Sequence, residues 1–209
     1  MNKKKIACIA IAVLFVVSLS ITGAYAYLTS RTNEKTNAFV YGDIKIELTE
    51  PNWKNDAKNI SPNETIPKDP LITNTGDNEA FVYIKVSVPK ASVDYINNNT
   101  VVLANQNNPV ELFSYNINEN WTEFMTDTSS DKANDHYYYF NKSISPNQKT
   151  TELFNTVTFI DVIEGQVDNS AFDIKVTAYG VQTLNTEGKD NILSAWNKIA
   201  KQEGYLVYN

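Results

Sequence analysis

Three stretches of strict apolar and polar alternation limit what this chain can fold into. In "DIKIEL" (43–48), Ile44, Ile46 and Leu48 share one face while Asp43, Lys45 and Glu47 share the other. In "FVYIKVSV" (81–88), Val82, Ile84, Val86 and Val88 fall on one side, as do Phe172, Ile174, Val176 and Ala178 in "FDIKVTAYG" (172–180). A period of two sends successive side chains to opposite sides of a strand, so each segment predicts a half-buried β-strand. The runs "YYYF" (137–140) and "TVTFI" (156–160) add β-prone segments, and clusters such as "SPNETIPKDP", "NTGDNE" and "TDTSSDKAND" supply turns. Short strands punctuated by Asn, Pro and Gly predict a mainly β fold, an antiparallel jelly-roll-like β-sandwich.

The period changes near the C-terminus. From Asn191 to Gln202, Ile192, Leu193, Trp196, Ile199 and Ala200 recur at helical spacing, which predicts one amphipathic helix with Asp190 as N-cap and Gly204 as stop. A second short helix is expected over "ASVDYINNN", Ala91 to Asn99. No internal repeat or linker divides the chain.

Ahead of the first alternating segment stand Lys3, Lys4 and Lys5, an apolar run from Ile6 to about Ile21, and Ala24-Tyr25-Ala26. A basic head, an apolar core and an A-x-A site are the parts of a secretory signal peptide, so residues 1–26 are expected to be removed between Ala26 and Tyr27. The rival reading is an uncleaved anchor, because the run lies near the lower limit of about 17 residues for a membrane span. Small residues where a signal peptidase reads them favour cleavage, which leaves no membrane attachment.

Cleavage removes three lysines and no acids, so the mature chain keeps 15 basic and 24 acidic side chains, a net charge of about −9. Nucleic acid and anionic lipid both demand basic patches and are not expected as partners. The sole cysteine, Cys8, lies inside the apolar run, too far upstream of Ala26 to be a lipidation cysteine. An exported chain with no thiol and no disulfide suits a Gram-positive surface protein better than a small disulfide-stapled secreted domain. The 183 residues from Tyr27 onward suffice for a single domain with its own core.

The inventory for catalysis is thin. His136 is the only histidine, so neither an H-E-x-x-H helix nor a multi-histidine metal site can form within one chain. No G-x-S-x-G elbow accompanies it, and "DHYYYF" places it at the start of a strand, as a loop-edge histidine. Asp127, Asp131 and Asp135 with Glu123 are candidates for a calcium site, yet they lack alternating spacing with a central glycine, and a solvated acidic loop is the plainer reading. Trp121, Phe124, Tyr137, Tyr138, Tyr139 and Phe140 either line a carbohydrate platform or serve as core and cross-strand pairs, the use expected in a sandwich without disulfides. No catalytic residue, metal or cofactor is assigned.

Several blocks in order carry a resemblance. They are "GAYAYLTSRTNEKTNAF", "GDIKIELTEPNW", "ISPNETIPKDPLITNTGDNEAFVYIKVSVP", "YYYFNKSISPNQKTTELFNTVTF" and "VTAYGVQTLNTEGKDNILSAW". Together they resemble the TasA and camelysin family of Gram-positive biofilm matrix proteins, closest to the clostridial BsaA-type branch, whose signal peptides are cut by a dedicated signal peptidase, SipW. The resemblance implies a secreted, pilus-like fibre subunit of the extracellular matrix or cell surface. It would assemble head-to-tail with copies of itself by donor-strand exchange, alongside other matrix proteins.

By position the donor segment is 27–36, with Tyr27, Leu28, Thr29, Ser30, Arg31 and Thr32 leading it, and 37–209 form the β-sandwich. Such a donor adds main-chain hydrogen bonds to an open sheet edge, and a contact that does not close propagates into a filament. An intermolecular isopeptide bond is a further source of cohesion, with no residues assigned. The alternatives are a monomeric surface adhesin and, since camelysin relatives are described as metalloproteases, a peptidase.

Overall fold

The computed structural model describes residues 37–39, 44–53, 60–163, 165–167, 172–183 and 191–208. Fourteen strands and one helix occur among them. The strands are β1 (Asn37–Phe39), β2 (Ile46–Thr49), β3 (Thr65–Pro67), β4 (Leu71–Asn74), β5 (Ala80–Ala91), β6 (Tyr95–Asn97) and β7 (Thr100–Val102), then β8 (Val110–Glu111), β9 (Phe113–Ser114), β10 (Trp121–Asp127), β11 (Ala133–Phe140), β12 (Thr156–Phe159), β13 (Asp161–Val162) and β14 (Lys175–Gln182). The helix, α1, spans Ile192–Glu203.

β5 organises the fold because its residues alternate from Val82 to Val88. Val82, Ile84, Val86 and Val88 are fully buried on one face, and Phe81 and Tyr83 are buried on the other. A strand buried on both sides belongs in the middle of a sheet, and β5 lies between β14 and β11 in the order β1-β14-β5-β11-β10, with β8 also paired to it. All pairings among the described strands are antiparallel except one: β1 runs parallel to β14. Pro89, which has no N–H to give, falls beyond the last β5 residue that β14 pairs, Ser87.

The inner face of this sheet packs against three smaller sheets, β2-β4, β3-β12-β9 and β13-β6-β7. Ile46, Leu48, Ile72, Leu112, Phe113, Val157 and Phe159 meet the β5 valines, Tyr138, Phe140 and Ala178 in one core. The sheets curl around this core as a half-barrel, which gives the expected β-sandwich. Ile44, Ile46 and Leu48 are buried while Lys45 and Glu47 are exposed, as the alternation of "DIKIEL" requires.

The outer face carries α1, which buries Ala195, Trp196, Ile199 and Ala200 against Phe81, Tyr83, Tyr137, Tyr179 and Val181. Its stop is Gly204 at φ 71°, as expected. Its N-cap is Asn191 rather than Asp190: the Asn191 side-chain oxygen accepts from the N–H groups of Leu193 and Ser194, and Asp190 lies outside the described residues. The helix expected over 91–99 is absent. That segment ends β5, forms β6 and turns at Asn98 and Asn99, whose φ values of 49° and 61° build the hairpin to β7. Asparagine tolerates the left-handed region because its short amide bonds locally, so "NNN" stops a strand here and does not propagate a helix.

Candidate functional site

The signal-peptide junction Ala26/Tyr27 and the segment 27–36, with Tyr27, Leu28, Thr29, Ser30, Arg31 and Thr32, lie outside the described residues. What the structure describes is where the chain enters the domain. Asn37, Ala38 and Phe39 pair with Ala178, Tyr179 and Gly180, so β1 is an edge strand held by three residues of parallel ladder. Its neighbour β14 is closely packed underneath. A Cβ on Gly180 would lie 3.1 Å from Ile46 Cγ2 and 3.2 Å from Ile44 Cγ2, so the absent side chain lets β2 approach the β14 backbone.

Of the acidic residues weighed for calcium, Asp127 and Asp135 are cross-strand partners, but among the described residues no third is grouped with them to hold an ion. Asp127 Oδ1 accepts from Ser129 N at 2.9 Å, a bond that holds its carboxyl below the usual range. Asp135 is bonded by Ser87 Oγ and lies 3.2 Å from Lys85 Nζ on the helix side of the sheet. Glu123 turns to His136. The aromatic residues separate as well. Trp121, Tyr138 and Phe140 enter the inner core, whereas Phe124, Tyr137 and Tyr139 pack around Trp196 on the other face. Trp121, Tyr137, Tyr138 and Phe140 are buried core, Phe124 and Tyr139 are half-buried against the outer cluster, and the six present no common platform.

His136 does not sit at a loop edge. It lies in the middle of β11, paired with Val86 on one side and Thr126 on the other, with its side chain 16% exposed. Nε2 is 2.7 Å from Glu111 Oε1 and Nδ1 is 2.8 Å from Glu123 Oε1. Burial works against the charged imidazole, but the two carboxylate hydrogen bonds outweigh it and raise its pKa above 6.5. Glu111 shifts the other way: burial would raise it, and the His136 and Asn134 hydrogen bonds lower it.

A second polar cluster has no counterpart among the sequence expectations. Lys68 and Asp69 are 5% and 3% exposed. Lys68 Nζ lies 2.8 Å from Glu50 Oε1 and 4.4 Å from the centre of the Trp53 ring. Asp69 accepts from Asn52 N at 2.9 Å and from Asn52 Nδ2 at 2.8 Å. The cluster therefore fastens the turn after β2 to the β3–β4 connection. Its residues look like turn formers in "EPNW" and "IPKDP", and only the apposition of the two turns reveals the pairing.

The described chain is thus a mainly β sandwich domain that takes its first described strand at a sheet edge and braces its rim with the buried Lys68 and Asp69. A family model described as camelysin metallo-endopeptidase matches residues 1–127, more than half of the 209 residues, and the chain belongs to this family, that of camelysin and TasA. Comparison with curated proteins finds no match, nor does comparison with solved structures. The family description implies a metal, and the residues described do not fit one. His136 spends both ring nitrogens on carboxylates, and among the described residues no three His, Cys, Asp or Glu side chains are grouped to hold an ion.

Proposed function

We propose that the chain is a secreted structural subunit of extracellular matrix or surface fibres, assembling head-to-tail through the segment 27–36 of the mature protein. Family membership supports the reading, and so does the observation on which it chiefly rests: the first described strand, directly after that segment, is a three-residue edge strand on β14. A short parallel ladder at an edge is a weak tether for what precedes it. The preceding ten residues reach at most about 35 Å when extended, enough to run along another subunit's edge strand. After Tyr27 and Leu28 the segment is polar, so its hold on a neighbour comes mainly from backbone hydrogen bonds.

In this reading residues 1–26 are the signal peptide, a dedicated signal peptidase frees Tyr27, and export thereby enables assembly. N-terminal sequencing of the secreted protein is expected to begin at Tyr27. An N-terminus at Met1 on membrane-bound protein would replace cleavage with anchoring. The family's peptidase description favours a second reading, which requires peptide hydrolysis that co-purifies with the protein and is abolished by a chelator. We expect no such activity.

A further inference from the structure

We propose that Glu111, His136 and Glu123 form a pH-operated clamp that ties the edge strand β10 and the short strand β8 to β11 while the imidazole is protonated, and that frees the β10 side when the proton leaves. A neutral imidazole has one N–H and one lone pair, so it can donate to only one of two carboxylates. Both ring nitrogens here face carboxylate oxygens, at 2.7 and 2.8 Å. Only the imidazolium satisfies both bonds.

The two sides of the clamp are unequal. Glu111 Oε1 also accepts from Asn134 Nδ2 at 2.6 Å, and its side chain is 29% exposed. Glu123 Oε1 accepts from the Thr126 hydroxyl at 2.8 Å and is 40% exposed. On deprotonation the remaining N–H therefore stays on Nε2 toward Glu111, and the Nδ1 lone pair is left facing the Glu123 carboxylate. Glu123 then swings to water, where its charge is readily solvated.

The consequence falls on an irregular part of the sheet. The register between β10 and β11 shifts between Glu123 and Met125, so Phe124 is the extra residue of a bulge on the outermost strand. Losing the Glu123 bond loosens that bulge. The other groups around the ring come from β5, from β11 and from the segment after β9. β5 contributes Val86 and, near Glu111, the cation Lys90. Tyr138 stacks on the imidazole with ring centres 6.4 Å apart, and its hydroxyl bonds Tyr115. Burial pushes both phenols up, so they remain protonated. Lys85 and Asp135 belong to the opposite face.

His136 is the only histidine, so every imidazole resonance of a ring-labelled sample from Tyr27 to Asn209 belongs to it. The clamp predicts a titration midpoint above 6.5 and an Nε2–H tautomer above it. It also predicts that Glu123→Gln lowers proton affinity about tenfold, one pKa unit. Amide exchange at Glu123 to Thr126, corrected for intrinsic rates, is expected to accelerate at least about tenfold between pH 6 and pH 9 in the parent and not in His136→Asn. A midpoint at or below 6.5, or one that Glu123→Gln leaves in place, overturns the proposal. So does an Nδ1–H tautomer or pH-independent exchange.

Discussion

At the residue scale, stability rests on a few positions whose packing leaves little freedom. Gly180 is one. Any side chain there meets two β-branched isoleucines at just over 3 Å, and both are buried core residues. Gly180→Val is therefore expected to lose about 1–3 kcal/mol of unfolding free energy in a denaturant titration. Lys68 is another: Glu50→Ala would leave its ammonium buried beside Trp53 without a counter-charge, at a cost of about 3 kcal/mol. His136 adds a pH dependence. Its raised pKa means that its stabilising contribution is complete below about 6.5 and is lost as pH rises through the higher folded value. Glu111 behaves oppositely, contributing above its ordinary 4.5 and losing that contribution as pH falls through its lower folded value. Thermal midpoints are expected to decline on the alkaline side in the parent and to decline less in His136→Asn. None of these roles is legible in one sequence. The position of His136 in "DHYYYF" predicts a strand, but its carboxylate partners come from β8 and β10, 25 and 13 residues away.

At the scale of elements, local patterning predicts strands well where one face is buried. β2 follows its alternation, because a one-residue slip would turn its apolar side chains outward, whereas β5 and β14 also bury Phe81, Tyr83 and Tyr179 on the helix side. The bulge at Phe124 could not be read this way. It directs two consecutive residues, Phe124 and Met125, toward the aromatic cluster under α1, contrary to any period of two. The helix itself was legible from its spacing, and its end was legible from glycine. The neighbouring Asp190 and Asn191 are both good caps, so composition alone could not choose between them. Asn191→Ala is expected to cost about 1 kcal/mol, and Gly204→Ala a similar amount because its φ of 71° is strained for any side chain with a Cβ. Trp196→Ala, which empties the centre of the outer cluster, should cost about 3–5 kcal/mol. Chemical denaturation followed by circular dichroism orders the three.

At the scale of the whole molecule, the only cysteine lies in the apolar run, so no disulfide closes within the chain. Two hydrophobic cores on either side of one sheet therefore supply most of its cohesion. The fold class was legible because alternation and turn chemistry repeat along nearly the whole chain. The family was legible because its blocks keep their order. No acceptor edge for the proposed donor segment 27–36 was legible, since an open sheet edge is a property of backbone arrangement and leaves almost no mark on composition. Polymerisation should accordingly depend on that segment and not on the fold of the domain behind it. Negative-stain electron microscopy of the purified chain beginning at Tyr27, beside the same chain lacking 27–36, tests this most directly. Filaments from the first and folded monomers from the second are the predicted result, whereas filaments from both, or monomers from both, would contradict it.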